Sequence, residues 1–385
     1  MKLDHTNLLQ SFRMSSTLGF LPENELHPSQ NNRDWREVEK SLPKLLNATA
    51  LQASIDELDA FSLEGFKDKS IEEKELDMRC LSYIAHAWLW NTKEKVVEIL
   101  PKKIAQPWVA IAQELGRPPV LSYASYCLYN WKRFDRDQPP YLGNIAIESN
   151  FLGGRDEDWF ILIHVDIEAH AGTLFPHMCT IMECLQHEDS IALESSLAAI
   201  VHAWENINAS MKRMTEHCDP YIYYTRVRPY IFGSKNNPAL PNGLIYEGCF
   251  DHKAKFFRGE TGAQSSIVPS MDALLGISHQ NDPLKEYLME MREYMVPAHR
   301  KFIEYVEKNS SLREFLEKKK TSSLIELYNR CIEELHQFRE THLEFAASYI
   351  HRQAPQNNND TVMGTGGTPF MKYLAKHRDE TLIRL

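Results

Sequence analysis

The sequence predicts a mainly α-helical protein in two domains, and three observations carry that prediction. Apolar residues recur at helical spacing through most of the chain, few stretches alternate with period two, and one long irregular segment divides the helical pattern. The helices follow in order. Residues 33–61 hold two, and 71–91 form a longer one whose start, "IEEKEL", puts acids in the first turn, where they suit the helix dipole. Further helices are predicted over 93–115, 119–133, 157–186, 189–216, 269–277, 282–306, 311–317 and 322–351. The dividing segment is 134–156, "FDRDQPPYLGNIAIESNFLGGRD", which mixes Pro, Gly and acids without a helical period. It separates a smaller N-terminal helical domain, 1–148, from a larger one, 149–385. Two more irregular segments, 233–266 and 353–368, carry turn residues. The second, "QAPQNNNDTVMGTGGT", ends glycine-rich and is expected to be a mobile loop.

Composition narrows the class. Hydrophobic residues make up 43% and charged residues 25% of the 385 residues, as in a globular protein with a sizeable core. A formal charge of -10 disfavours nucleic acid and anionic membrane as partners, and the basic run Lys318, Lys319, Lys320 reads as a solvated helix end. No stretch approaches the roughly 18 uninterrupted apolar residues of a membrane span, and the N-terminus lacks a signal-peptide core, so a cytoplasmic location is expected. Seven scattered cysteines with no CxxC argue for reduced thiols rather than a disulfide framework or a structural zinc site.

The most informative stretch is "QFRETHLEFAASYI", 337–350. Counting back from Tyr349 in alternating fours and threes gives Phe345, His342, Phe338, Leu335 and Cys331, an apolar stripe with a histidine inside it. A lone histidine on such a face is most often a core residue whose ring nitrogens find protein partners. The alternative is a ligand holding a haem iron from one side, favoured by Arg339 one turn earlier, where a guanidinium could pair with a propionate.

Three other places carry chemistry. In "DEDWFILIHVDIEAHAG", 156–172, His164 lies on the stripe Phe160, His164, Ile167, Ala171, with Glu168 on the same face and His170 and His177 beyond. Such a set could bind non-haem iron, although the duplicated Glu-x-x-His of diiron bundles is missing, and a structural role for Glu168 and His170 is the simpler reading. In "DPYIYYTRVRPYIFG", 219–233, tyrosines interleave with Arg226 and Arg228. That pattern fits a nucleic-acid surface, a packed core edge, or a pocket for a flat ligand bearing a carboxylate, and the net acidity counts against the first. "MGTGGTPF", 363–370, is neither a Walker loop nor GxGxxG, but suits a lid that closes over a small polar group.

Taken together, the chain resembles the indoleamine 2,3-dioxygenase family. The likeness runs over most of the chain and rests on "RPPVLSYASYCLYNW" (117–131), "NGLIYEG" (242–248), "GAQSS" with "MDALLGI" (262–277), "MREYMVPAHRKF" (291–302), "SLREF" (311–315), "FRETHL" (338–343) and "GTGGT" (364–368), in the family's order and spacing. The resemblance implies a two-domain all-helical haem dioxygenase fold, with a large C-terminal domain enclosing haem b and the N-terminal domain capping the pocket. It implies His342 as the proximal ligand of the haem iron and Arg339 as the propionate partner. Tyr223, Tyr224 and Arg228 fall where the family has two phenylalanines packing on the indole and an arginine binding the carboxylate. Phe160 matches a phenylalanine of the distal pocket, Tyr123, Tyr126 and Cys127 line its inner end, and Thr261 and Gly262 match a short loop against the haem. Thr365 and Gly366 belong to the closing loop.

There are departures from the family pattern. His164 stands where mammalian members have a distal serine; a distal histidine is the arrangement of the related tryptophan 2,3-dioxygenases. The two pocket phenylalanines have become tyrosines. The implied reaction takes L-tryptophan or a related indoleamine with O2, on the His164 side of the haem, to N-formylkynurenine, with an unidentified reductant as partner. Two alternatives remain at this point: a relative that rearranges a substituted tryptophan, as in the pyrrolnitrin pathway, and a haem-binding protein without turnover.

Overall fold

Ser70 starts the first long helix. Its side chain accepts the Glu73 N–H while the Glu73 carboxylate accepts the Ser70 N–H, a reciprocal cap for helix α1, Ile71–Trp90. Nearly the whole of α1 is buried, charged residues included, so its charges are paired: Arg79 donates to Glu39 at 2.9 Å, Arg117 to Glu75 at 2.9 Å, and Arg36 to Asp77 at 3.0 Å. The computed structural model describes residues 4–23, 26, 31–91, 97–353 and 371–385.

The remaining helices that build the site are α2 (Lys102–Leu115), α3 (Arg155–Ala171), α4 (Leu174–His187), α5 (Ser190–Lys212), α6 (Ile267–Leu275), α7 (Pro283–Met291), α8 (Pro297–Asn309), α9 (Ser322–Tyr349) and α10 (Met371–Glu380). Helix α9 packs most extensively on α5, which in turn packs on α3 and α4. The predicted mainly α architecture holds. Among the described residues the strands are short: Ile99–Leu100 runs parallel to Ile245–Tyr246, and Trp131–Arg133 antiparallel to Ile145–Ile147. Buried side chains on both sides of residue 148 join in one continuous apolar cluster. All seven cysteines are free, and no helix among the described residues is long and apolar enough to cross a membrane.

Several predicted helices are interrupted, each for a local reason. The 157–186 helix divides at Gly172, because Pro176 cannot donate a hydrogen bond to the Gly172 carbonyl. Gly172 also lies so close to the N-terminal segment that a Cβ there would stand 2.2 Å from the Thr17 carbonyl oxygen. The 282–306 helix divides because Pro297 forces Val296 into an extended conformation, φ -57° and ψ 124°.

The 119–133 stretch is a single wide turn, Ala124–Leu128, followed by a strand. In that turn the Tyr129 N–H reaches the Ala124 carbonyl, five residues back, at 2.9 Å, while Asn130 takes the Tyr126 carbonyl at 3.2 Å. A second turn of the same π type spans Tyr223–Val227 and closes on the Arg228 N–H. Such turns are frequent at functional sites, and these two carry Tyr126, Cys127, Tyr223 and Tyr224.

Candidate active site

The two π turns are tied together by a histidine on α1. His86 Nδ1 lies 2.7 Å from the Tyr230 carbonyl, just beyond one turn, and its Nε2 accepts the Leu121 N–H at 3.0 Å, just before the other. Both ring nitrogens are satisfied, and burial pushes the His86 pKa down to about 4. This is what a core histidine looks like in this protein.

His342 is different. Its ring nitrogens meet no hydrogen-bond partner among the described residues, and its side chain is accessible to water. Yet it sits deep in the molecule: burial first, then the charges of His164 and Arg339, push its pKa down to about 4. A residue that is accessible but surrounded by protein lines an internal cavity. Its neighbours on the inward face of α9, Phe338 and Phe345, are also only partly covered. Phe338 meets Trp204 of α5 edge-on, with ring centroids 5.5 Å apart.

Helix α3 supplies the second histidine, His164. His164 is half-buried, and its Nδ1 lies 2.7 Å from the Phe160 carbonyl, which orients the ring. Burial holds its pKa below the usual histidine value. Among the described residues and apart from its chain neighbours, its Nε2 is the only atom within 4 Å of the place a Cβ would take at Gly262, at 3.9 Å, so Gly262 lies beside His164. Phe160 joins His164 at a centroid distance of 4.6 Å and Tyr223 at 4.8 Å. Tyr126 lies 6.3 Å from Phe160, and Tyr123 5.9 Å from His164, edge-on.

The structure therefore gathers His164, Phe160, Tyr123, Tyr126 and Tyr223 in one aromatic group, with Cys127 buried in the same π turn as Tyr126. Tyr224 turns elsewhere. The Arg228 guanidinium lies over its ring at 5.2 Å and over Phe232 at 4.9 Å, with Arg228 itself only 6% exposed. Thr261 caps the short turn Gly262–Gln264 by accepting the Ala263 N–H. Thr365 and Gly366 lie outside the described residues.

Glu168 does not join a metal site. Its carboxylate accepts the Tyr123 hydroxyl at 3.0 Å and the Ser265 hydroxyl at 2.7 Å, and burial raises its pKa to about 7. His170 instead stacks on Tyr141, centroids 4.4 Å apart, and His177 meets Ser196 at 3.4 Å, so the four residues weighed for non-haem iron are dispersed. Glu168 therefore orients Tyr123, whose N–H is bonded to the Gln264 side chain at 2.8 Å.

Arg339 lies one turn before His342, where its charge helps to lower the His342 pKa. Its guanidinium is anchored by Asp272 at 2.6 Å and Thr381 at 2.5 Å, with His279 Nε2 at 3.3 Å. His279 in turn bonds Glu380 at 2.9 Å and stacks on His377, with centroids 4.1 Å apart and planes parallel to within 1°. Rings stacked in parallel hold their in-plane lone pairs in separate planes, so His279 and His377 cannot both ligate one ion as placed. The group works as a brace between α9 and α10.

These residues could hold a haem: an imidazole without a hydrogen-bond partner among the described residues, a second imidazole within electrostatic reach of it, and a glycine beside that second ring. The family model for indoleamine 2,3-dioxygenase matches residues 8–383. The chain belongs to the indoleamine 2,3-dioxygenase family. It is 34% identical to indoleamine 2,3-dioxygenase 1 of Rattus norvegicus, over 97% of this chain and 95% of that protein. It is 30% identical to indoleamine 2,3-dioxygenase 2 of Homo sapiens (97% and 94%) and 28% identical to the indoleamine 2,3-dioxygenase of Saccharomyces cerevisiae (97% and 93%). As a member of this family the chain is an oxidoreductase of the dioxygenase type.

Sequence reasoning placed Glu168 on the His164 face with a structural role as its simpler reading, but it missed another buried carboxyl group: Glu260, inside "GETGAQSS", passed as a loop residue. Nothing in the local sequence marks Glu260 as buried, because its burial comes from the crossing of two distant segments.

Proposed function

We propose that the protein uses haem b and O2 to open the indole C2–C3 bond of L-tryptophan, or a related indoleamine, giving N-formylkynurenine. The observation that carries this reading is His342: an enclosed yet accessible imidazole with no protein hydrogen-bond partner among the described residues, within electrostatic reach of His164. When bound, the haem supplies the redox chemistry with dioxygen. The chain's own residues hold and orient.

In this reading His342 is the iron ligand and Arg339, steadied by Asp272, borders a propionate. Phe160, Tyr223, Tyr123, Tyr126 and Cys127 enclose the indole, and Arg228 takes the carboxylate. Arg228 suits that task because its guanidinium is pre-positioned on two rings and little ordering cost remains. His164, oriented through the Phe160 carbonyl, presents Nε2 toward the substrate ring as a hydrogen-bond partner. Thr261 and Gly262 shape the edge beside it, and Thr365 and Gly366 belong to the segment that closes the site. Holding reactants in register in a dry pocket can recover about 7 to 11 kcal/mol of a barrier. Residues 1–148 act as a cap, contributing the Ala124–Leu128 turn. An external electron donor and a cytoplasmic setting complete the proposal.

Product analysis with L-tryptophan and with 7-chlorotryptophan under reducing conditions tests it. Formylkynurenine from tryptophan supports the reading. Rearranged product from the chlorinated substrate alone, or a Soret band without tryptophan-dependent oxygen uptake, removes it.

A further inference from the structure

Glu260 lies where the chain crosses itself. Gly233 and Gly259 pack backbone to backbone: a Cβ on Gly259 would stand 2.2 Å from the Ile231 carbonyl oxygen, and one on Gly233 2.3 Å from the Gly259 nitrogen. The crossing is locked by the Glu260 N–H, which donates to the Ile231 carbonyl at 3.0 Å. Ile231 ends the short helix that begins at Arg228. The next residues along the chain are Thr261 and Gly262, and a Cβ on Gly262 would stand 3.9 Å from His164 Nε2. A carboxyl group only 1% exposed is thus built in between the Arg228 turn and the cavity edge.

The Glu260 carboxyl group lies within electrostatic reach of four other side chains: burial first raises the pKa of Tyr123, Tyr126, Cys127 and Tyr223, and the Glu260 charge adds to each shift. Those are the side chains that line the proposed indole pocket. Tyr223 also feels Arg228, in the opposite sense. One pocket wall therefore senses a buried anion-forming group and a buried cation together. An α-amino acid carries its own opposite charges on neighbouring atoms, and a desolvated charge binds tightly only to a partner of opposite sign.

We propose that Glu260 is the subsite for the ammonium group of the substrate, acting as the acidic counterpart of Arg228, which takes the carboxylate. The assignment rests on the tryptophan-type reading above and makes the site a receptor for a zwitterion. Burial raises the Glu260 pKa to about 8, so ammonium binding would draw a proton off the carboxyl group. Affinity for an ammonium-bearing indole then climbs as pH rises toward that value, by up to about tenfold per unit.

Three ligands separate the charges: L-tryptophan carries both, tryptamine only the ammonium, and indole-3-propionate only the carboxylate. Their dissociation constants are measured by calorimetry with wild-type protein and Glu260→Gln, each haem-loaded. Expected are losses of roughly tenfold to a hundredfold for tryptophan and tryptamine in the variant. Indole-3-propionate should stay within about twofold, or tighten as a nearby negative charge disappears. Equal losses for tryptamine and indole-3-propionate would overturn the ammonium assignment while leaving the dioxygenase reading intact. Binding of none of the three by wild type would remove both. Should Glu260→Gln fold poorly, wild type alone decides: between about pH 6.5 and 8.5 tryptamine must tighten with pH while indole-3-propionate does not, and parallel curves refute the subsite.

Discussion

His342 lies within electrostatic reach of His164, on a different helix: after burial, the His164 charge is the strongest influence lowering the His342 pKa. The two imidazoles are held differently. His164 is pinned through Nδ1 to a carbonyl of its own helix, and His342 is left with both nitrogens unengaged among the described residues. That asymmetry gives them separable roles.

His342→Ala should remove tight haem binding while leaving the helical fold, because α9 is held by its packing on α5 and by its brace to α10. Haem content after reconstitution and gel filtration is the measurement. A variant with a normal Soret band at full stoichiometry would show that another residue holds the iron.

His164→Ala should keep haem content and slow turnover by about tenfold or more, the scale of losing one oriented hydrogen bond in a desolvated site. Unchanged kcat and KM would leave His164 a packing residue.

Arg228→Ala should lower kcat/KM for tryptophan by roughly thirtyfold to a thousandfold, and for tryptamine far less. The comparison is needed because removing the guanidinium also uncovers Tyr224 and Phe232, a packing loss felt by both substrates. Equal losses would assign Arg228 to the scaffold.

The His86 tie makes stability depend on pH. The folded ring is held neutral with a pKa near 4, below the ordinary histidine value of 6.5, so the unfolded chain binds more protons between those values. The contribution is complete above about pH 6.5 and is lost as pH falls toward 4. The full swing is on the order of 3 kcal/mol. Urea midpoints of wild type and His86→Gln, compared from pH 7 to 4, should converge on acidification. Curves that stay parallel would show that His86 does not couple to folding.

Much of the fold was legible because the core faces of α1, α3, α5 and α9 repeat at helical spacing, and the stripe through Tyr349, His342 and Cys331 does line the inward side of α9. Helix ends were less legible: Pro176 and Pro297 broke two predicted helices although each was visible in the sequence. The site divides the same way. His342, His164 and Arg228 stand out by residue type on an apolar stripe or beside aromatics. The separate facing of Tyr223 toward Phe160 and Tyr224 toward Arg228 was not readable, because it follows from a π turn. Glu260 was illegible because its burial depends on contacts between residues 231–233 and 259–260.

The two π turns carry a consequence for how specificity can change within this scaffold. A turn closed five residues back holds one residue more than an ordinary helical turn, and each helical residue advances the direction of its side chain by about 100°. Removing a single residue from Tyr223–Val227 or Ala124–Leu128 would rotate a tyrosine out of the aromatic group and bring its neighbour in, with the flanking helices free to keep their packing. The walls of this pocket can be exchanged by a change of length where other cavities need a change of composition.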